Sequence, residues 1–159
     1  MAQKNRIRAV GLRETPTVKI RPVRRSDAER IAELSGQLGY PATPAEMARR
    51  LQGIKPVSQH VVLVAQTPER KVIGWLHASV SPLLEVELRA EVNALVVADD
   101  ERSRGAGALL LRAAEAWARK RGCNSMSVRS NVIRERAHQF YLRNGYEHYK
   151  TQKAFRKLI

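Results

Sequence analysis

Three runs of apolar residues, broken by short polar or proline-containing turns, dominate the middle of the chain: HVVLVAQ at 60–66, KVIGWLHASVS at 71–81, and a stretch over 85–97 that ends in NALVV. Val-rich runs of this length, separated by Thr67-Pro68-Glu69-Arg70 and by Pro82, predict an antiparallel meander whose first strand is buried. Upstream, Val18, Ile20 and Val23 in VKIRPV mark an earlier strand, and Pro22 predicts that it lies at a sheet edge. The apolar spacing then changes from strand-like to helical. Ser26-Asp27-Ala28-Glu29 reads as a capping box opening a helix over about 27–38, which Gly39-Tyr40-Pro41 stops. Thr43-Pro44-Ala45-Glu46 opens a second, with Met47 and Leu51 on one face and an end near Gly53. Beyond the meander, Leu110, Ala113, Ala114, Trp117 and Ala118 predict a helix over 107–121, with Arg119, Lys120 and Arg121 at its negative end and Gly122 as its stop. A strand over 125–129, a helix over 134–143 ended by Gly145, and a last strand over 146–158 complete the order β-α-α-β-β-β-α-β-α-β. There is no internal repeat.

Composition bounds this picture more than it changes it. At 159 residues the chain fits one α/β domain, expected over 17–159, that can bury a core without disulfides or metal. Residues 1–16, with Lys4, Arg6, Arg8 and Arg13 but no sustained periodicity, read as a mobile basic extension. No run of roughly 18 apolar residues and no signal-peptide pattern is present, so a soluble, cytoplasmic protein without membrane contact is expected. The single cysteine, Cys123, reads as a small buried hydrophobe, and the four histidines have no metal-ligand spacing, so no metal is expected. The net charge of +14 raises nucleic-acid binding as a class. Its distribution redirects that reading: residues 1–25 hold eight basic and one acidic side chain, residues 26–101 seven and eleven, and residues 102–159 fourteen and three. A uniform basic face suits a polyanion, whereas this division suits an anionic ligand at the C-terminal third and a cationic one facing the acidic middle.

The candidate chemistry concentrates in EVNALVVADDERSRGAGA, residues 91–108. An apolar strand gives way to an acidic turn and then to Arg102-Ser103-Arg104-Gly105-Ala106-Gly107, which opens directly into a helix. Helix starts present unpaired N–H groups and positive potential, and glycines let the backbone approach a ligand closely. With Arg102 and Arg104 as added cationic donors, this is a socket for a phosphorylated ligand. An ordinary turn and helix start is the alternative. Neither G-x-x-x-x-G-K-[ST] nor G-x-G-x-x-G is present.

Arg102-x-x-Gly105-x-Gly107 resembles the acetyl-CoA pyrophosphate motif of the GNAT N-acetyltransferase superfamily. The resemblance continues with Asn131 and with Ala137-His138-Gln139-Phe140-Tyr141-Leu142-Arg143-Asn144-Gly145-Tyr146, similar to the family's N…A-x-x-F-Y-x-K-x-G-F, and spans residues 18 to about 158. Within the superfamily, SNVIRERAHQFYLRNGYE is similar to small-amine acetyltransferases typified by aminoalkylphosphonate N-acetyltransferase.

The resemblance implies a mixed, mostly antiparallel sheet with helices on both faces, splayed between the fourth and fifth strands. It implies acetyl-CoA as cosubstrate, a small-molecule amine as acceptor, and a homodimer. The cofactor-binding residues it implies are Arg102, Ser103, Arg104, Gly105, Ala106, Gly107 and Ala108, with amides from Arg104 to Ala108 on the pyrophosphate and Leu95, Val96 and Val97 alongside the pantetheine arm. Asn131 is a pantetheine contact or a helix cap. Arg134, Arg136 and Arg143 reach CoA phosphates or form a solvated basic face; of these, Arg143 is the candidate. Glu91, 11 positions before Arg102, stands where several GNAT enzymes place a general base, with Glu87 and Glu85 in reserve; a solvated strand residue or an ion pair is its alternative. A base is needed because an alkyl ammonium with pKa about 10.4 is only about one-thousandth neutral at pH 7. Tyr141 is the implied general acid for the departing thiolate, since a phenol near pKa 10 keeps its proton where a thiol near 8.5 loses it. A core aromatic is its alternative, with Phe140 the better core candidate. Two other functions stay open: acetylation of a protein or peptide amine, and a non-catalytic nucleic-acid-binding or regulatory role.

Overall fold

The computed structural model describes residues 17–54 and 59–159; the basic extension expected over residues 1–16 lies outside them. The three apolar runs form the meander they predict, as β2 (His60–Gln66), β3 (Val72–Val80) and β4 (Ala90–Val97). β1 (Lys19–Pro22) pairs antiparallel with β2 at one edge, where a proline's missing N–H is tolerated. β5 (Met126–Val128) pairs parallel with β4 at the other, giving a five-stranded mixed sheet in the order β1-β2-β3-β4-β5. This is the mostly antiparallel α/β sheet expected.

β5 pairs with Ala90, Glu91 and Val92 alone, so β4 from Asn93 to Val97 keeps an open edge beyond the last rung. A bulge adds to this opening. His77 of β3 lies opposite Ala94 while Ala78 lies opposite Val92, which leaves Asn93 as the extra residue. Val92 and Leu95 therefore face the same side of the sheet although three positions separate them.

Helices cover both faces. α1 (Ala28–Leu38) and α2 (Pro44–Gly53) enclose one core with Val64, Val72, Trp75 and Val96. α3 (Ala106–Arg119) lays Ala106, Leu110, Leu111 and Ala114 on the opposite face, against Leu63, Ala65, Ile73, Leu76 and Ala78. α4 (Glu135–Arg143) adds Phe140 and Tyr141 to the α3 side. The alternation of Leu63 and Ala65 with Val64 between the two cores is the period-two pattern of a strand buried on both faces.

α2 starts as its sequence predicts: Glu46 N–H donates to Thr43 Oγ1 at 3.2 Å and Thr43 N–H to Glu46 Oε2 at 2.8 Å. α1 does not. Asp27 is drawn into a buried ion pair with Arg21 of β1 at 2.8 Å and accepts the Arg24 N–H at 2.7 Å, so the Ser26–Glu29 box is replaced by a 3-10 turn over Arg25–Asp27. Gly39 ends α1 at φ +94°, with Tyr40 N–H returning to Ser35 O.

Two further expectations fail. β4 begins at Ala90, leaving Glu85 and Glu87 exposed in the β3–β4 connection and not on the strand face of Glu91. The last strand over 146–158 is absent: β5 offers a sheet edge only three residues long, and after the half-buried Tyr146, residues 147–159 are exposed and pair with no strand, with Phe155 and Leu158 in solvent. Cys123 is buried with Val80, Ala90 and Ala118, and burial pushes its thiol pKa up, in keeping with a structural hydrophobe. Among the described residues no helix is long and apolar enough to cross a membrane, and no group of three metal-ligating side chains forms.

Candidate active site

α3 takes its first helical bond from Leu109 N–H to Gly105 O. The amides of Arg104, Gly105, Ala106, Gly107 and Ala108 find no acceptor among the described residues, and Ser103 (φ +67°) and Gly105 (φ +85°) hold the left-handed backbone that turns these donors outward. Gly107 has a packing reason. A Cβ there would stand 3.2 Å from the Phe140 ring and 3.6 Å from Val97 Cγ2, so glycine lets α4, α3 and β4 close together. A row of unpaired amides on backbone carrying only small side chains from Gly105 to Ala108 fits the pyrophosphate of a CoA thioester.

The two arginines are already engaged. Arg102 donates from Nε to Val97 O at 3.3 Å and pairs with Asp99, while Arg104 Nη1 lies 2.9 Å from Glu101 Oε2. They brace the acidic turn against the loop. Arg136, at the start of α4, donates to Ser103 Oγ at 3.2 Å and joins the loop from outside. Arg143 stands seven residues further on, about 10 Å along the α4 axis. Leu95, Val96 and Val97 form the open edge of β4 next to this loop. Asn131 is exposed; its Oδ1 accepts Ile133 N–H at 3.2 Å and its carbonyl accepts Arg134 N–H, so it shapes the turn into α4.

Tyr141 is held between two rings, Phe140 at 5.2 Å and Tyr146 at 5.7 Å, both edge-on. Burial pushes its pKa up to about 12, a shift the Arg134 charge moderates. The phenol stays protonated throughout the physiological range. Its neighbour Tyr146 has a partner, donating to Glu115 Oε1 at 3.2 Å, and Tyr141 Oη has none among the described residues. Phe140 and Tyr141 both pack on the α3-side core, so neither alone is the core aromatic.

Glu91 lies on the opposite face. Ala90 and Val92 point toward α3, so alternation sends Glu91 to the α1 side. Strand register places it in a polar row across four strands, His60, Ser79, Glu91 and Ser127. The Glu91 carboxylate forms an ion pair with Arg129 at 2.6 Å and borders a cleft of about 40 Å³ lined by Ser79, Ser81, Leu83, Arg89 and Glu91. Asn93, displaced by the bulge, donates from Nδ2 to Ser79 Oγ at 2.8 Å. His60 Nδ1 and His77 Nε2 meet at 3.1 Å, and burial with the nearby His60 lowers the His77 pKa to about 4, so His77 is neutral. Glu91 and Tyr141 share no hydrogen bond. Arg89, Arg129 and Ser79 carry no motif in the linear sequence, because only the folded sheet and its β3–β4 connection bring them to Glu91.

The chain matches the Acetyltransferase (GNAT) family over residues 28–146, and it belongs to that family. It is an acetyl-CoA-dependent N-acetyltransferase. It is 28% identical to the aminoglycoside N(6')-acetyltransferase type 1 of Klebsiella aerogenes over 145 residues, covering 87% of this chain and 95% of that protein. Over 66 residues it is 39% identical to the aminoalkylphosphonate N-acetyltransferase of Salmonella typhimurium, covering 40% and 43% of the two chains. Its fold matches an aminoglycoside N-acetyltransferase solved in complex with CoA at a TM-score of 0.80, with 17% identity and coverage of 92% and 98%.

Proposed function

We propose that this enzyme transfers the acetyl group of acetyl-CoA to a primary amine of a small molecule, by direct attack in a ternary complex, with Glu91 as general base and Tyr141 as general acid. The observation that carries the proposal is the pair of environments on either side of β4: a carboxylate bordering a solvent-open cleft, and a phenol kept protonated by burial on a helix that packs against the glycine loop. The relatives' names, an aminoglycoside and an aminoalkylphosphonate acetyltransferase, support a small amine as acceptor.

Acetyl-CoA supplies the activated acyl group, whose C–S bond is exchanged for C–N. Glu91 takes the ammonium proton, directly or through one water, and frees the lone pair that attacks. As the tetrahedral adduct collapses, the nitrogen's second proton passes to water, Tyr141 hands its proton to the leaving sulfur, and solvent restores the phenol. The unpaired amides from Arg104 to Ala108 hold the pyrophosphate, the open edge at Leu95, Val96 and Val97 takes the amide-bearing arm as an added strand, and Arg136 supports the loop through Ser103. Asn131 serves the turn into α4, and Arg143 is left to the basic outer face of that helix.

The test is a CoA-release assay across a panel of amines, with acetyl-CoA binding measured separately by calorimetry. Release that depends on an added amine supports the reading. Failure to bind acetyl-CoA even at millimolar concentration sinks it. A homodimer is part of the same reading, supported by the exposed Tyr149, Phe155 and Leu158 in the unpaired C-terminal segment. Light scattering that returns a monomer at assay concentration rejects that part alone.

A further inference from the structure

α1 and the connection into α2 border an open groove that shares no residue with the Glu91 cleft. Glu29, Ala32, Glu33 and Gly36 of α1 form one wall, and Pro41 and Ala42 stand on the other. Ala32 is buried and Ala42 half-buried, so the floor is apolar, and the exposed Glu29 and Glu33 are the charged side chains that line it. They lie four positions apart on one helix face, a like-charge spacing that opposes the helix. Glu33 meets Arg30 at 2.6 Å in an exposed pair, and Glu29 has no ion-pair partner among the described residues.

Gly36 lies inside α1 without a positive φ, and a Cβ built on it meets no atom within 4 Å. Neither backbone conformation nor packing among the described residues calls for glycine there, and glycine disfavours a helix relative to alanine. Bare backbone on a groove wall lets another chain segment come close. The chain enters the fold nearby. Lys19 opens β1 opposite Gln66, Gln66 lies opposite Val72, and Arg30, next in sequence to Glu29, donates from Nε to Val72 O at 3.0 Å. Two strand spacings, about 10 Å, thus separate Lys19 from the strand end that α1 overhangs. The residues ahead of it are basic, with Lys4, Arg6, Arg8 and Arg13 against Glu14 alone. From Arg8 to Thr17 the chain spans up to about 30 Å at about 3.3 Å per residue, enough to bring Arg6 and Arg8 over the groove.

We infer that this groove is the seat of the chain's own N-terminal segment, with Arg6 and Arg8 on Glu29 and Glu33. In an extended segment alternate side chains share a side, so Arg6 and Arg8 stand about 6.6 Å apart while Ile7 and Ala9 turn the other way. Residues four apart on a helix are separated by a rise of about 6 Å. The two spacings match. The guanidinium groups meet the carboxylates of the α1 wall, and Ile7 and Ala9 meet Pro41 and Ala42. Each carboxylate gains a charge-assisted donor, which relieves the repulsion between them. The charge of the extension is thereby used within the molecule, apart from the anion socket of α3 and from acetyl transfer. The seated segment braces α1 from outside, and the end of that helix meets the acidic turn through Gln37 and α4 through Leu38 O.

The test is a cross-link in the full chain. Ala9→Cys is combined with Gly36→Cys in the groove or, as the control, with Gly53→Cys at the end of α2, where an added Cβ is equally unhindered. The native Cys123 is buried and stays in place. A short bis-maleimide should join positions 9 and 36 within one chain at least about 10-fold faster than positions 9 and 53, because a seated segment has a higher local concentration at its seat than a free tether. Arg6→Glu with Arg8→Glu should bring the first rate down to the second, and adding Glu29→Arg with Glu33→Arg should restore it. The substituted positions on α1 are exposed, so the fold withstands these changes. Equal rates at the two positions, a rate indifferent to charge reversal, or no recovery in the swapped variant overturns the inference. A product of twice the chain mass assigns the groove to a second copy and overturns it as well.

Discussion

The Arg21–Asp27 pair joins β1 to the start of α1, the helix whose C-terminal end receives Arg134 from α4 at Leu38 O. Asp27→Ala removes two hydrogen bonds from the Arg21 guanidinium, at 2.8 and 2.9 Å, and one from Arg24 N–H at 2.7 Å. The guanidinium, 8% exposed, is left with Gln66 Oε1 and Pro22 O. Breaking a buried pair from one side costs about 3–5 kcal/mol. Against a typical domain stability of about 5–15 kcal/mol, that is about a fifth at the least. Urea unfolding at pH 7.5, followed by circular dichroism, should show a loss of about this size, and Arg21→Met combined with Asp27→Leu should recover most of it because no charge is stranded. The pH dependence adds a second reading. Burial raises the Asp27 pKa, but the Arg21 guanidinium and the Arg24 N–H outweigh it and hold the carboxyl below its ordinary value. A depressed folded-state pKa gives stability that is full above the unfolded value, about 3.9, and is lost as pH falls through the folded value. Below about pH 4 the wild-type curve should therefore be steeper than that of the double variant. A loss under about 1 kcal/mol in Asp27→Ala, or a double variant no more stable than the single one, refutes the argument.

Tyr141→Phe should lower kcat by about 10²- to 10⁴-fold with little change in acetyl-CoA binding, and wild-type turnover would remove the phenol from the reaction. Because burial holds the Tyr141 pKa at about 12, its deprotonation should not shape the rate profile below about pH 10. At Gly105, φ is +85° and nothing stands within 4 Å of an added Cβ, so Gly105→Ala should cost about 1–2 kcal/mol of backbone strain in a thermal melt and also raise the KM for acetyl-CoA. A strain-free variant with normal KM would show that the left-handed turn is dispensable. Cys123, buried and with a raised thiol pKa, should react with a thiol probe at pH 7.5 far more slowly in the folded enzyme than in urea; equal rates would contradict the packing.

The meander was legible because Val-rich runs bounded by turn residues have few alternatives, and Pro22 marked its strand as an edge before any pairing was known. The glycine loop was legible for a related reason: Gly105 and Gly107 meet needs of backbone and close packing that few other residues meet. The start of α1 was misread because Ser26 and Glu29 satisfy a local rule, whereas Asp27 is claimed by Arg21 from another strand, a partner that local rules cannot see. The segment 146–158 was misread because its residue types suit a strand, but pairing depends on an available edge. The surroundings of Glu91 lay beyond the linear pattern. Arg129 reaches it through β4–β5 register, and Ser79 through the β3–β4 register that the Asn93 bulge resets. Ion pairs also changed the role of Arg102 and Arg104, from donors in waiting to braces of the acidic turn.

The parallel attachment of β5 sets an order of assembly. β2, β3 and β4 follow one another through connections of five and nine residues, 67–71 and 81–89, and can zip from near neighbours, but β5 reaches β4 only after α3 has crossed the sheet, and it is held there by three rungs. The edge that bears Ser127 and Arg129, and the loop that begins α3, should thus form the last cooperative unit to close and the first to open. Amide hydrogen exchange would read this as the fastest sub-global opening in the sheet, slowed selectively by acetyl-CoA, since a ligand that binds only the closed form stabilises the unit it bridges.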